Sequence, residues 1–177
     1  MTFIYCGIDL AVKRKTAVGL LIDNKIKIYF VSTDDEILEL CSKAKITAID
    51  SPLSYSKGFR EIDREMLKLG LKVLPPSFMP SLVERGIKLS KKLNSIETHP
   101  TSSMKLMKIN WKDYTSIKDE FDAVLCAITA YLYDNGEAKA IKAKDGEIYL
   151  IDKKMKIVKE NSDYIFYFSN NSFYSSI

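Results

Sequence analysis

Residues 3–31 read FIYCGIDLAVKRKTAVGLLIDNKIKIYFV, and this stretch decides the fold class. Residues 3–10 are rich in β-formers and end at Gly7-Ile8-Asp9. Residues 16–22 form a second apolar run. Asp23-Asn24 makes a tight turn into residues 25–31, where Ile26, Ile28 and Phe30 alternate with Lys25, Lys27 and Tyr29. Such alternation marks a strand with one face buried. The stretch predicts an antiparallel meander of three strands.

Beyond it the period changes. Ser32-Thr33-Asp34-Asp35-Glu36 places hydroxyls before acids, the chemistry of a helix start, and Ile37, Leu38 and Cys41 supply the apolar side. Residues 46–50 are mostly apolar and are stopped by Ser51-Pro52. They predict a buried strand parallel to the first, because a helix precedes it. Further helices are expected over 59–69 and 81–93, with 71–74 extended between them and broken by Pro75-Pro76. Residues 95–97 read as a brief strand stopped by Thr98-His99-Pro100. The clearest helix covers 118–134, with Phe121, Leu125, Ile128 and Leu132 on one face and Gly136 as its stop. Residues 141–151 read as a hairpin around Asp145-Gly146. A meander followed by parallel α/β units predicts an α/β fold, a mixed sheet covered by helices.

The chain has 177 residues, the length of one ordinary domain. Its 46% hydrophobic and 28% charged residues exclude disordered, collagen-like and low-complexity classes. The longest apolar runs, such as 17–22, are far too short to span a membrane. Residues 1–5 lack the basic start and apolar centre of a signal peptide. A cytoplasmic protein with no membrane partner is expected. Cys6, Cys41 and Cys126 are far apart, in no metal-type spacing and in apolar stretches, and read as buried reduced thiols. His99 is the one histidine, which rules out a multi-histidine metal site. Chemistry must rest on carboxylates, hydroxyls and basic residues.

Four acids stand where acids are unusual. Asp9, Asp50 and Glu97 end the first, fourth and fifth strands, and Asp122 sits among core-type residues of the long helix, one turn after Asp119. A single aspartate at a strand end is most simply a turn or cap residue, and Asp119 alone a charge favoured by the helix dipole. Together they point elsewhere, because open α/β sheets gather ligand sites at the carboxyl ends of their parallel strands. Such a cluster repels itself unless a cation sits in it. Hard oxygen ligands suit Mg²⁺ or Mn²⁺, and paired ions of this kind support phosphodiester hydrolysis.

The segments Gly7-Ile8-Asp9-Leu10-Ala11, Ala48-Ile49-Asp50-Ser51-Pro52-Leu53-Ser54 and Gly58-Phe59-Arg60-Glu61-Ile62-Asp63-Arg64 resemble the domain of unknown function 429. Pro75-Pro76-Ser77-Phe78, Arg85, Glu97-Thr98-His99-Pro100 and Asp119-Glu120-Phe121-Asp122-Ala123 continue the likeness in order, and Asp145-Gly146 closes it. It covers residues 3–151. The long-helix segment also resembles the acidic helix of RuvC-type resolvases. The resemblance implies an RNase H-like sheet of five strands, three antiparallel and then two parallel to the first, and the activity of a predicted nuclease. It implies Asp9 as the central metal ligand, Asp50 and Asp122 completing the site, and Glu97 or Asp119 as the variable partner. The domain would then span 1–151, with 152–177 a C-terminal extension.

The remaining candidates concern substrate. Arg60, Arg64 and Arg85 are three of only four arginines, and guanidinium forks suit phosphate oxygens; the simpler alternative is ion pairing with Glu61, Asp63 and Glu84. His99 lies two residues after Glu97 and is a phosphate contact, a proton shuttle or a loop hydrogen-bonder. Ser51 is a phosphate contact or a turn residue. The tail turns from lysines to Tyr164, Phe166, Tyr167 and Phe168, which either stack on single strands or pack as a strand before a frayed end. The expected partner is nucleic acid, DNA or RNA. The competing readings are an actin-like or sugar-kinase-type nucleotide-binding domain and a non-catalytic RNase H-like binding module.

Overall fold

The computed structural model describes residues 2–160 and 164–170. Strands β1 (Ile4–Asp9), β2 (Thr16–Ile22) and β3 (Lys25–Val31) form the antiparallel meander. Helix α1 (Asp34–Cys41) starts in a capping box, the Thr33 hydroxyl accepting from the Glu36 N–H and the Glu36 carboxylate accepting from the Thr33 N–H. Strand β4 (Ile46–Asp50) then pairs parallel to β1. Helices α2 (Glu61–Lys68) and α3 (Pro80–Ser90) lead to β5 (Ser95–Thr98), parallel to β4. Helices α4 (Pro100–Met107) and α5 (Lys118–Asp134) precede the hairpin β6 (Lys139–Ala143) and β7 (Gly146–Leu150), and β8 (Lys156–Lys159) and β9 (Ile165–Ser169) end the fold. The α/β class holds. Among the described residues the sheet has nine strands rather than five, in the order β6-β7-β5-β4-β1-β2-β3-β9-β8.

Side-chain parity sorts the sheet into two faces. Tyr5 of β1 and Ile46 and Ala48 of β4 join the core beneath α5. Cys6, Ile8 and Ile49 join the opposite core, with Ile37 of α1 and Leu89 of α3. Because successive residues of a strand alternate, Asp9 and Asp50 share the α5 face. Gly7 makes that face shallow. A Cβ on Gly7 would lie 2.1 Å from the Ala127 nitrogen and 2.6 Å from the Ala123 oxygen. Gly19, its cross-strand partner, would place one 3.0 Å from the same oxygen. The backbone of α5 rests directly on this glycine pair.

Several expectations are corrected. Residues 71–74, expected to be extended, lie in no helix or strand: the chain leaves α2 through Gly70 in the left-handed region (φ 77°), and the Leu71 N–H turns back to the Met66 carbonyl, with its side chain buried. Helix α4 goes unseen in the sequence because Pro100 reads as a breaker, whereas proline fits the first turn of a helix. Cys6 and Cys41 are disulfide-bonded, with Cα atoms 5.7 Å apart, because α1 packs on the β1 face that carries Cys6; Cys126 is the buried free thiol. The aromatic tail packs. Strand β9 pairs with β3 and buries Phe166 and Phe168. The frayed end expected of the tail falls on 171–177, outside the described residues. Among the described residues no helix is long and apolar enough to cross a membrane.

Candidate functional site

Asp9 ends β1, and Asp50 ends β4 on the neighbouring parallel strand, one step beyond the paired Ile8 and Ile49. Asp122 lies in the second turn of α5, which the glycine pair lets down onto the same face. One ligand oxygen from each of the three carboxylates lies within 4.8 Å of the others. Asp9 and Asp122 are buried and Asp50 is partly so. These are the residues expected to converge, and their parity and the packing of α5 bring them together.

The electrostatics follow from crowding. Burial, then Asp50, Asp122 and Asp119, push the Asp9 carboxyl far above the ordinary range, and Arg14 only partly offsets them. Burial and Asp122 also raise Asp50, against Lys118 and a hydrogen bond with Asp9. Burial raises Asp122 as well, although the Lys118 ammonium donates to its Oδ2 at 2.6 Å. The other oxygen, Oδ1, is buried with no hydrogen-bond partner among the described residues. Arg14, from the β1–β2 loop, donates through Nε to Asp119 Oδ2 at 2.9 Å, and its Nη2 lies 4.0 Å from Asp9 Oδ2. If all four aspartates ionise, their charge exceeds that of Lys118 and Arg14 by two.

The other expected site residues are placed differently. Glu97 neighbours Ile96, whose side chain is in the α5 core, so it leaves β5 from the opposite face, although with Arg60 it still lines the cleft that holds the aspartates. There it accepts from the Leu53 N–H at 2.8 Å and from both terminal nitrogens of Arg60 at 2.9 and 2.6 Å. The same guanidinium donates to Asp63. Arg60 is thus buried in a salt-bridge network, and Glu97 ties down the turn after Asp50 rather than joining the three aspartates. Asp119 is held by Arg14 outside the trio. Arg85 directs its donors to Asp34, the Ala11 carbonyl and the Ser32 carbonyl, tying the β1–β2 loop to the β3–α1 connection. Arg64 is exposed and lines a separate groove with Lys68 and Lys144. Ser51 is buried beneath Gly86 and donates to the Pro52 carbonyl, the act of a turn residue.

His99 also lines the cleft, as do Ser51, Arg60 and Glu97. Its Nδ1 is hydrogen-bonded to Ser102 Oγ at 2.6 Å, and burial first, then Lys118, lower its pKa to about 4. A neutral ring at pH 7 can accept or donate a hydrogen bond but carries no charge to phosphate.

The three aspartates form the floor of a cavity of about 840 Å³. Lys13, Arg14, Lys72 and Lys118 also line it. Lys118 and Arg14 are the residues beside the aspartates that sequence reasoning missed. Each had a signal. Lys118 stands four before Asp122, the spacing of a helical ion pair, and Arg14 lies in a basic run, Lys13-Arg14-Lys15, just after Asp9.

The chemistry of the donor set fits a hard divalent cation. All the clustered ligands are carboxylate oxygens, one buried oxygen lacks a partner, and the surplus charge is two. No protein-family model matches the chain, and no curated protein or solved structure matches it.

Proposed function

We propose that this chain is a divalent-metal-dependent nuclease on an RNase H-like sheet, hydrolysing phosphodiester bonds. The observation that carries the reading is the meeting of Asp9, Asp50 and Asp122 within 4.8 Å in a cleft that also holds basic side chains. The strand order β3-β2-β1-β4-β5 at the centre of the sheet, with β2 running against the other four, supports the fold assignment.

Asp9, Asp50 and Asp122 would hold Mg²⁺ or Mn²⁺, which supplies activation of water and stabilisation of the leaving oxygen when bound. The chain's own groups do the rest. Lys118 favours the ionised form of Asp122, partly offsetting its burial, and holds one of its oxygens by an ion pair. Arg14 holds Asp119 and screens Asp9. Lys13 and Lys72, exposed on the cleft lining, offer charge to phosphate oxygens. The Glu97–Arg60–Asp63 network fixes the backbone on which Asp50 stands.

The test is cleavage of labelled DNA and RNA, single- and double-stranded, with Mn²⁺, Mg²⁺ or EDTA. Cleavage should require metal and fall by about a hundredfold or more in Asp9→Asn and in Asp122→Asn, as loss of a transition-state contact does. Calorimetry should show Mn²⁺ binding that either substitution weakens. Cleavage equal to wild type in both variants would reject the reading. Nucleotide binding with no cleavage would favour the actin-like alternative instead.

A further inference from the structure

The wall of the cleft carries an aromatic side chain that the carboxylate chemistry does not use. Phe78 is 70% exposed, and it lines the same cavity as the three aspartates. A single exposed apolar residue is ordinary, but this one is mounted rigidly. It ends a short 3₁₀ turn, Pro76–Phe78, whose N–H groups close onto Pro75 and Pro76 at 3.0 and 3.1 Å. Pro75, Pro76 and Pro80 restrict the backbone around it. The Ser77 hydroxyl ties the turn to the Lys57 carbonyl. Leu74 and Val12, also exposed, complete an apolar lip on the cleft.

The occupant must therefore satisfy three features at once: a floor of carboxylates, cations along the walls, and a flat ring held out to solvent. Phosphate suits the cations, and a nucleobase face suits the ring. A duplex keeps its bases stacked inside and presents phosphates and groove edges. It cannot lay a base on Phe78 without unpairing. We infer that Phe78 is a stacking platform for an unpaired base, and that the substrate of this cleft is single-stranded nucleic acid. The inference rests on the nuclease reading and narrows it to a substrate class. The volume of about 840 Å³ lies in the range of pockets that enclose one small ligand, in keeping with a single unpaired nucleotide at the floor.

The experiment is a fluorescence-anisotropy titration in Ca²⁺ with a fluorescein-labelled oligothymidylate, an oligouridylate and a blunt duplex of the same length. Wild type should bind the single strands more tightly than the duplex. Phe78→Ala should weaken single-strand binding roughly 5- to 150-fold, the loss of one stacked base. It should leave duplex binding, the salt slope and the melting temperature unchanged. Phe78→Leu should behave like Phe78→Ala, since it keeps apolar surface without a π-face. Phe78→Trp should restore binding, and its indole fluorescence should be quenched by the oligonucleotide. Equal affinity for single strand and duplex, or single-strand binding unaltered by Phe78→Ala, overturns the inference. Either result can accompany Asp9-dependent cleavage, in which case the nuclease reading survives. Absence of both binding and metal-dependent cleavage removes the two together.

Discussion

At the residue scale, Asp9 holds a proton more tightly in the folded chain than the ordinary aspartate value of 3.8 allows when unfolded. Unfolding therefore releases that proton, and raising the pH favours the unfolded state. The metal-free protein should lose stability steadily as pH rises from about 4 through the raised native value. His99 has the opposite sign, since its lowered native pKa costs stability as pH falls from 6.5 toward 4. Subtracting the profile of Asp9→Asn, which keeps His99, removes the histidine and leaves the contribution of the coupled carboxylates. Asp9→Asn should be more stable than wild type by about 1–3 kcal/mol at pH 8, because a tenfold change in proton affinity corresponds to about 1.4 kcal/mol. Saturating Mn²⁺ should cancel the pH dependence in wild type alone. Denaturant melts from pH 5 to 9 check this, and a flat difference profile would refute it. Lys118→Met should show the complementary pattern. It removes the one ammonium bonded to Asp122, so stability without metal should fall by about 1–2 kcal/mol, discounted for the half-exposed lysine. Mn²⁺ affinity should rise, since one competing positive charge is gone. Calorimetry distinguishes this from simple damage, which would weaken both.

At the element scale, the site depends on how deeply α5 sinks onto the sheet. Gly7 and Gly19 face Ala123 and Ala127, and only that small-on-small contact lets Asp122 reach Asp9. Gly7→Ala would set a methyl 2.1 Å from a backbone nitrogen that cannot rotate away. Helix α5 must then lift. Overpacking of this kind costs about 1–3 kcal/mol, or more where backbone must move. The expected result is a lower melting temperature together with Mn²⁺ affinity reduced at least tenfold, although no ligand is changed. A destabilised variant with wild-type Mn²⁺ affinity would show that the site does not need this contact.

At the scale of the whole molecule, the sheet runs on into the C-terminal extension. Residues 152–177 read as an extension holding a packed strand, and β9 pairs with β3 and inserts Phe166 and Phe168 into the core beneath α5, joined by Ile157 of β8. The Lys159 ammonium also reaches the buried Glu120 carboxylate near the start of α5. Three buried apolar side chains at about 1.5–3 kcal/mol each amount to roughly 5–9 kcal/mol. That is comparable with the whole stability of a typical domain. A chain ending at residue 151 should therefore fail to fold as a stable monomer, and circular dichroism and gel filtration would show it unfolded or aggregated. A cooperative melt near that of the full chain would restore the boundary at 151.

The meander, the helix starts and the acidic strand ends are local patterns, legible in the order of residues without any knowledge of the fold. Period-two alternation in 25–31 and period-3.6 spacing in 118–134 are consequences of backbone geometry that no distant contact can alter. Parity along β1 and β4 was equally legible: Tyr5, Gly7 and Asp9 share a face, as do Ile46, Ala48 and Asp50. Which charged groups meet is another matter, settled by three-dimensional packing. Glu97 lies near the end of its strand as Asp9 and Asp50 do, and it lines the same cleft, yet it bonds Arg60 rather than joining the aspartates. Arg60 and Arg85, suited by type to phosphate, are taken up by carboxylates and carbonyls. Lys118 and Arg14 take the places beside the aspartates instead. Charge pairing depends on separations of a few ångströms between elements far apart in the chain. Those separations are set by packing, here by two glycines beneath one helix.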